Sequence, residues 1–266
     1  MVAIIVVLLY AMKAVVTVES QAAGQPPLRP LAWFAFAALW FGMRPNTFSG
    51  VPGPPRRDAR ELVWHGLRMA LAGALLIAGA RCVWMLRGTS ENILAWQMAA
   101  TLLLIPGLSL FMHFGGFNIL AGCWRAVGAE VRPLFRAPLR SKNLVEFWGK
   151  RWNLAFSEMT AVAIFRPLEP LIGRPGATFA AFLFSGFVHE LGISVPVQAG
   201  YGLPTLYFLL HGLAMWIERR LERAGRPIHR KVWFGRVWTA VWIVLPLPLL
   251  FHRPFLEGCV WPLIGM

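Results

Sequence analysis

Two ionisable residues stand side by side in a stretch otherwise suited to lipid: FLFSGFVHEL, Phe182 to Leu191, carries His189 and Glu190. Charge in hydrocarbon is costly, so such residues face the protein interior and mark sites or pathways. On a 3.6-residue period Phe182, Ser185, Gly186, His189, Gly192 and Ile193 share one broad face. The small and polar members of that stripe, Ser185 and Gly186 among them, permit close helix approach or line a substrate cavity. A neutral imidazole in this setting is a general base near neutral pH. The plainer reading is a histidine hydrogen-bonded to a neighbouring helix for packing, but the membrane setting favours the chemical role. Glu190 points about 100° away from its neighbour around the helix, which argues against direct contact with His189.

A second constellation is LRSKNLVEFWGKRWNLAFSEM, Leu139 to Met159. Trp148 and Trp152 lie four residues apart on one helical face inside a strongly basic segment. An amphipathic helix at the headgroup level accounts for the tryptophans, lysines and arginines. It does not account for Asn153 and Glu158, placed where the chain enters its next apolar stretch. An amide there can position a carbonyl or a cofactor. The third is LHGLAMWIERRLER, where His211 shares a face with Met215 and Glu218. His211 reads first as a structural partner and second as a further polar group of the cavity. Glu218, followed by Arg219 and Arg220, marks the end of its helix.

Other chemistries lack their motifs. The sequence has no P-loop and no GxSxG elbow, and Leu191, Gly192 and Ile193 follow the His-Glu pair where a zinc motif needs a second histidine. His113 has no second ligand at helical spacing, so no metal is expected. Cys82, Cys123 and Cys259 are too dispersed and too few for a disulfide framework or a CxxC site.

The elements that must position these groups are membrane helices. The chain has 266 residues, 57% of them hydrophobic and 14% charged, with a mean hydropathy of +0.57. That composition, with its long apolar runs, belongs to polytopic membrane proteins. Apolar segments fall at 2–18, 31–43, 63–86, 93–113, 177–198, 203–218 and 237–252. Shorter ones around 154–168 and 255–265 suit re-entrant or interfacial helices, since a full crossing takes roughly 17–25 residues. The expected fold is all-α and polytopic, with about 7–9 membrane helices, short ones included, around a central reaction chamber. Residues 1–266 are expected to form a single membrane-embedded domain.

The net charge of +14, from 26 Lys+Arg against 12 Asp+Glu, invites a nucleic-acid reading. The bases instead sit between apolar runs, which fits the positive-inside bias and contact with anionic membrane lipids, not nucleic acid. The basic loops 56–60, 123–153 and 218–236 are therefore expected to be cytoplasmic, with the turn RGTSEN (87–92) on the other side. Residues 154–168 are expected not to span, so that the chain returns to the side it left. A basic face of this kind also suits an anionic cytosolic ligand such as a nucleotide or an acyl-CoA.

Taken together, EFWGKRWN (146–153) and FLFSGFVHEL about 36 residues later resemble the membrane-bound O-acyltransferase superfamily, most closely its wax synthase branch. HGLAMWIE (211–218) and WFGMRPNTF (40–48) also resemble segments of that branch; the resemblance does not rest on the first 30 residues or the C-terminus. The resemblance implies an integral membrane enzyme that moves a fatty acyl group from acyl-CoA, a co-substrate and not a resident cofactor, to a long-chain alcohol or another lipid or small-molecule alcohol. It places the catalytic histidine at His189 and the family's Asn/Asp position at Asn153, with Trp148, Arg151 and Trp152 in the flanking motif. The CoA phosphates would then meet Arg140, Lys142, Lys150 and Arg151. The competing class is a membrane transporter with His189 and His211 in a substrate or proton path, but no internal repeat supports it.

Overall fold

The computed structural model describes residues 2–89 and 91–266; Met1, and Ser90 within the expected 87–92 turn, lie outside them. Helices run over α1 (Val2–Ala22), α2 (Pro30–Leu39), α3 (Ala59–Met85), α4 (Ile93–Ser109), α5 (Phe117–Ala126), α6 (Leu144–Glu146), α7 (Leu154–Thr160), α8 (Arg166–His189), α9 (Val195–Val197), α10 (Leu203–Arg223), α11 (Val232–Val244), α12 (Leu247–Leu250) and α13 (Arg253–Phe255). No strand occurs among the described residues. Single wide, π-type turns at Leu110–Gly116, Phe147–Arg151, Ala161–Phe165, Glu190–Ser194 and Leu256–Val260 interrupt or extend them. Such turns are rare and concentrate at functional places. Five helical stretches among the described residues are long and apolar enough to cross a membrane: Ala3–Ala22, Ala59–Met85, Ile93–Ala126, Leu154–Val197 and Val232–Leu250. Large apolar side chains such as Leu71, Leu75 and Leu102 stand outward from them, as lipid-facing residues do. The protein is an all-α, polytopic membrane protein.

The chain divides into two units. One comprises Thr47–Leu134 and Glu257–Met266. Its centre is an antiparallel hairpin in which α3 packs along α4, the Leu110–Gly116 turn and α5. Glycine makes the approach possible: a Cβ at Gly73 would lie 2.4 Å from the Phe111 nitrogen, and one at Gly115 would lie 2.8 Å from the Ala70 Cβ. Gly66, Gly107 and Gly122 sit in the same seam, a small-residue interface of the kind that lets membrane helices pack backbone to backbone. The helical path of α4 continues past the apolar segment 93–113 to Ala126, over 34 residues, and the Ser109 Oγ lies 3.1 Å from His113 Nδ1 along it. The C-terminal piece docks on the hairpin, where the Trp261 indole N–H donates to Thr101 Oγ1 (2.8 Å) and that of Trp84 to the Gly265 carbonyl (3.1 Å).

The other unit comprises Met1–Asn46 and Phe135–Leu256. Here α1 is pinned by Lys13, which is almost fully buried and donates to the carbonyls of Phe36 (2.8 Å) and Gly42 (2.6 Å) while lying over the Phe36 ring. Burying a cation demands such pairing. The stretch Leu154–Val197 is no straight rod: Gly173, with φ 70° and ψ 167°, breaks it into two legs. Phe156 packs against Phe184 and His189, so the legs run antiparallel about Gly173. The second leg in turn lies antiparallel to α10. Thr178 meets Arg219, Gly186 meets Thr205, and Glu190 meets Gly202 and Thr205.

These contacts trace a path that doubles back on itself. Leu144 lies against Glu218 at the C-terminal, basic end of α10. The chain then climbs past Trp148, beside Phe182, Phe208 and His211, to Asn153. From there the first leg returns to the Gly173 turn, beyond the level of Thr178 and Arg219. Residues 154–172 thus come back to the end from which 144–153 set out, so the segment around 154–168 turns back within the unit.

Candidate functional site

The arm from Leu144 to Asn153 is built from its backbone donors outward. Asn143 Oδ1 accepts the Glu146 N–H at 2.7 Å, while the Glu218 carboxylate takes the N–H groups of Leu144 and Val145. The first N–H groups of any helix lack internal partners, and here side chains supply them. A wide turn over Phe147–Arg151 follows, and Asn153 ends it in the left-handed region, φ 40° and ψ 62°. Asparagine is one of the few residues that adopts this conformation readily. Its Oδ1 accepts the Phe156 N–H at 3.3 Å and so starts α7. Its Nδ2 donates to no group among the described residues. Ser157 Oγ, donating to the Trp148 carbonyl at 2.6 Å, ties the returning leg to the arm.

His189 ends α8, just before the wide turn Glu190–Ser194. Its Nδ1 lies 2.7 Å from the Ser185 carbonyl. A carbonyl can only accept, so Nδ1 carries a proton, and in the neutral imidazole Nε2 keeps a free lone pair. The ring packs on Phe208 with centroids 4.3 Å apart and meets Phe156 edge-on at 6.0 Å. Asn153 and His189 are linked through Phe156, whose backbone N–H is capped by the amide and whose ring touches the imidazole. The histidine is half-buried, held by a carbonyl and two aromatic rings and partly open to a ligand.

Glu190 points elsewhere. Its Oε1 accepts from Gly202 N–H (2.9 Å), Thr205 N–H (3.1 Å) and Thr205 Oγ1 (2.9 Å). It therefore caps α10, an anion at a helix N-terminus. This fixes α10, and with it Phe208, against the His189 helix.

The other expected residues separate into two groups. Ser185 is buried, and its hydroxyl donates to the Ala181 carbonyl. A Cβ at Gly186 would lie 2.7 Å from the Thr205 Cα, so this glycine serves close helix approach. His211 is fully buried, with Nδ1 2.8 Å from the Tyr207 carbonyl and its ring against Trp148 and Tyr207. Trp152 stacks on Phe147 and meets Phe135 edge-on. Arg151 turns inward, making two hydrogen bonds to Glu146 (2.9 and 2.6 Å) and reaching the carbonyls of Arg136 and Ala137. Burial works against the Glu146 charge, but the Lys142 backbone N–H and the Arg151 guanidinium outweigh it and hold the carboxyl below its ordinary value. Arg140, Lys142 and Lys150 are exposed. Glu158, unexplained by an amphipathic helix, pairs with Arg44 at 2.7 Å. Pattern reasoning passed over Phe208 and Phe156. The signal for Phe208 was its position three residues before His211, on one face of α10.

Fold and site together define a multi-pass helical membrane protein that presents an unprotonated imidazole nitrogen within an aromatic wall. Residues 131–210, which contain the arm and His189, match the model of the "Membrane bound O-acyl transferase family". The chain is 28% identical over 240 residues to the probable long-chain-alcohol O-fatty-acyltransferase 6 of Arabidopsis thaliana, covering 84% of this chain and 67% of that protein. It is 29% identical over 137 residues to the long-chain-alcohol O-fatty-acyltransferase of Simmondsia chinensis, covering 45% and 39%. It is also 32% identical over 161 residues to acyl-CoA–sterol O-acyltransferase 1 of Arabidopsis thaliana, covering 52% and 46%. The alignment thus spans about two thirds of the first of these and less than half of the other two. The chain thus resembles the membrane-bound O-acyltransferase family, and its wax synthase-like branch in particular.

Proposed function

We propose that the protein works as a single acyltransferase domain, transferring a fatty acyl group from acyl-CoA to the hydroxyl of a long-chain or related lipid alcohol within the membrane. The observation that carries this reading is the His189 tautomer: Nδ1–H is spent on the Ser185 carbonyl at 2.7 Å, which leaves Nε2 to accept a proton. In the step, the alcohol oxygen attacks the thioester carbon while Nε2 takes its proton. The Asn153 Nδ2 amide stabilises the oxyanion. The carbon–sulfur bond then breaks, and the CoA thiolate leaves and takes up the proton. The apolar setting keeps water away from the thioester. The basic loops face the cytoplasm, where the CoA phosphates meet exposed bases, with Arg140, Lys142 and Lys150 better placed than the internally bonded Arg151. The relatives' names, which speak of long-chain alcohols, fatty acyl groups, acyl-CoA and sterols, support the substrate classes.

The test uses the full-length protein in phospholipid liposomes with palmitoyl-CoA and either hexadecanol, a sterol or no acceptor. Ester and free CoA thiol are measured. The expected result is alcohol-dependent ester with stoichiometric CoA release. CoA release without ester, or neither product with any acceptor, overturns the reading.

A further inference from the structure

Glu218 lies at the far end of α10 from the Glu190 cap, buried at 5% exposure. It forms no ion pair among the described residues. Arg219, next to it, turns its guanidinium to Thr178 Oγ1 at 2.9 Å. The carboxylate is instead surrounded by N–H groups. Oε1 accepts from Leu144 N–H (2.8 Å) and from the Trp238 indole (2.8 Å), and Oε2 accepts from Val145 N–H (3.3 Å). Its partners therefore come from α11 and from the two residues that begin the re-entrant arm.

That placement has a mechanical consequence. The helix that holds the root of the arm through Glu218 also sets Phe208 on the His189 ring and His211 against Trp148. The arm has little slack between root and tip: Trp148 is wedged among Phe182, Phe208 and His211, and its carbonyl is tied to Ser157. Asn153 follows Leu144 by only nine positions, and a shift at the root reaches the tip. A misplacement of about 1 Å of a catalytic group can cost on the order of a hundredfold in rate.

We propose that Glu218 is a positioning residue for acyl transfer: its buried carboxylate fixes how deeply the arm enters and thereby sets Asn153 relative to His189. The proposal rests on the acyl-transfer reading above. An amide cannot reproduce the arrangement, because Glu218→Gln puts an NH2 group where one of three N–H donors needs an acceptor. Glu218→Asp keeps both acceptor oxygens on a shorter stem.

The experiment compares wild type, E218Q and E218D as full-length protein in liposomes, with kcat and KM for alcohol and acyl-CoA measured per folded molecule. The expected result is a fall in kcat of about ten- to a hundredfold for E218Q, both KM values within twofold of wild type, and partial rescue of kcat by E218D. Hydrogen exchange of the wild-type protein is read alongside and needs no variant to fold: the Leu144 and Val145 amides should be strongly protected. Normal kcat in E218Q, or losses in kcat and KM that merely follow the folded fraction, overturns the proposal. So does fast exchange at Leu144 and Val145. Wild type that makes no ester with any alcohol instead overturns the acyl-transfer reading on which the proposal rests.

Discussion

The two units solve the problem of packing helices in lipid by opposite means. The α3 hairpin is joined by removing side chains: Gly66, Gly73, Gly107, Gly115 and Gly122 let backbones meet, and dispersion contacts do the rest. The His189 unit is joined by inserting polar side chains against backbone groups. Lys13 binds two carbonyls, Glu190 and Glu218 each bind two backbone N–H groups, and Arg151 bridges a carboxylate and two carbonyls. A seam of glycines suits a rigid pair of rods. It cannot hold an irregular re-entrant arm, whose free N–H and C=O groups are expensive in hydrocarbon unless protein satisfies them. Polar anchoring is therefore the expected signature of the unit proposed to carry the chemistry.

If that division holds, the largest loss of activity comes from His189. His189→Ala should lower acyl transfer by about 10²- to 10⁴-fold, the usual worth of a general base, a loss far larger than any change in folded fraction. Ester formation and thermal unfolding of the same preparation check this. Asn153→Asp should follow, since it keeps the oxygen that caps Phe156 and removes the amide donor. Loss of one oxyanion donor costs about 10²- to 10³-fold in kcat, and a fall in kcat at unchanged KM is the expected pattern. Wild-type kcat in this variant would leave Asn153 with its capping role alone.

The glycine unit should fail differently. A methyl at Gly73 meets backbone at 2.4–2.8 Å, so Gly73→Ala must push α3 from its partner. Overpacking of this kind typically costs about 1–3 kcal/mol. Melting temperature should drop, while kcat per folded molecule stays near wild type. A selective loss of kcat without loss of stability would erase the contrast between the units.

How much of this was legible in the sequence follows from what each feature depends on. His189 announced itself because an ionisable residue in an apolar run is conspicuous at any resolution of reading. The close approach at Gly186 was visible as a small-residue stripe. The continuation of α4 through His113 to Ala126 was not, because the apolar run pauses at His113, and only the partner helix makes the following glycines a contact surface. Arg151 illustrates the same limit. A basic residue in a basic loop reads as a ligand for phosphate, and its inward turn depends on Glu146 and on carbonyls of Arg136 and Ala137 that the chain brings back from 14–15 residues upstream. Glu190 was set aside as a partner for its neighbour on helical geometry. Its role as the cap of α10 needs the turn at 198–202, which no periodicity specifies.

The smallest expected effect is the sharpest test of whether small residues on the His189 helix are all seam. A Cβ added at Gly186 runs into Thr205 at 2.7 Å, whereas one at Gly192 meets nothing within 4 Å. Gly192 lies one turn beyond His189 on the same stripe, in the wide turn Glu190–Ser194. Gly192→Ala should therefore change stability by no more than about 0.5 kcal/mol, as surface substitutions do. Gly186→Ala should unseat α10 and carry Phe208 away from the imidazole. If the space beside Gly192 receives the acyl chain or the alcohol, Gly192→Ala will raise KM for the longer substrates while leaving kcat and melting temperature unchanged. Equal effects of the two substitutions on melting temperature would show that the whole stripe is a packing seam, and would remove Gly192 from the substrate path.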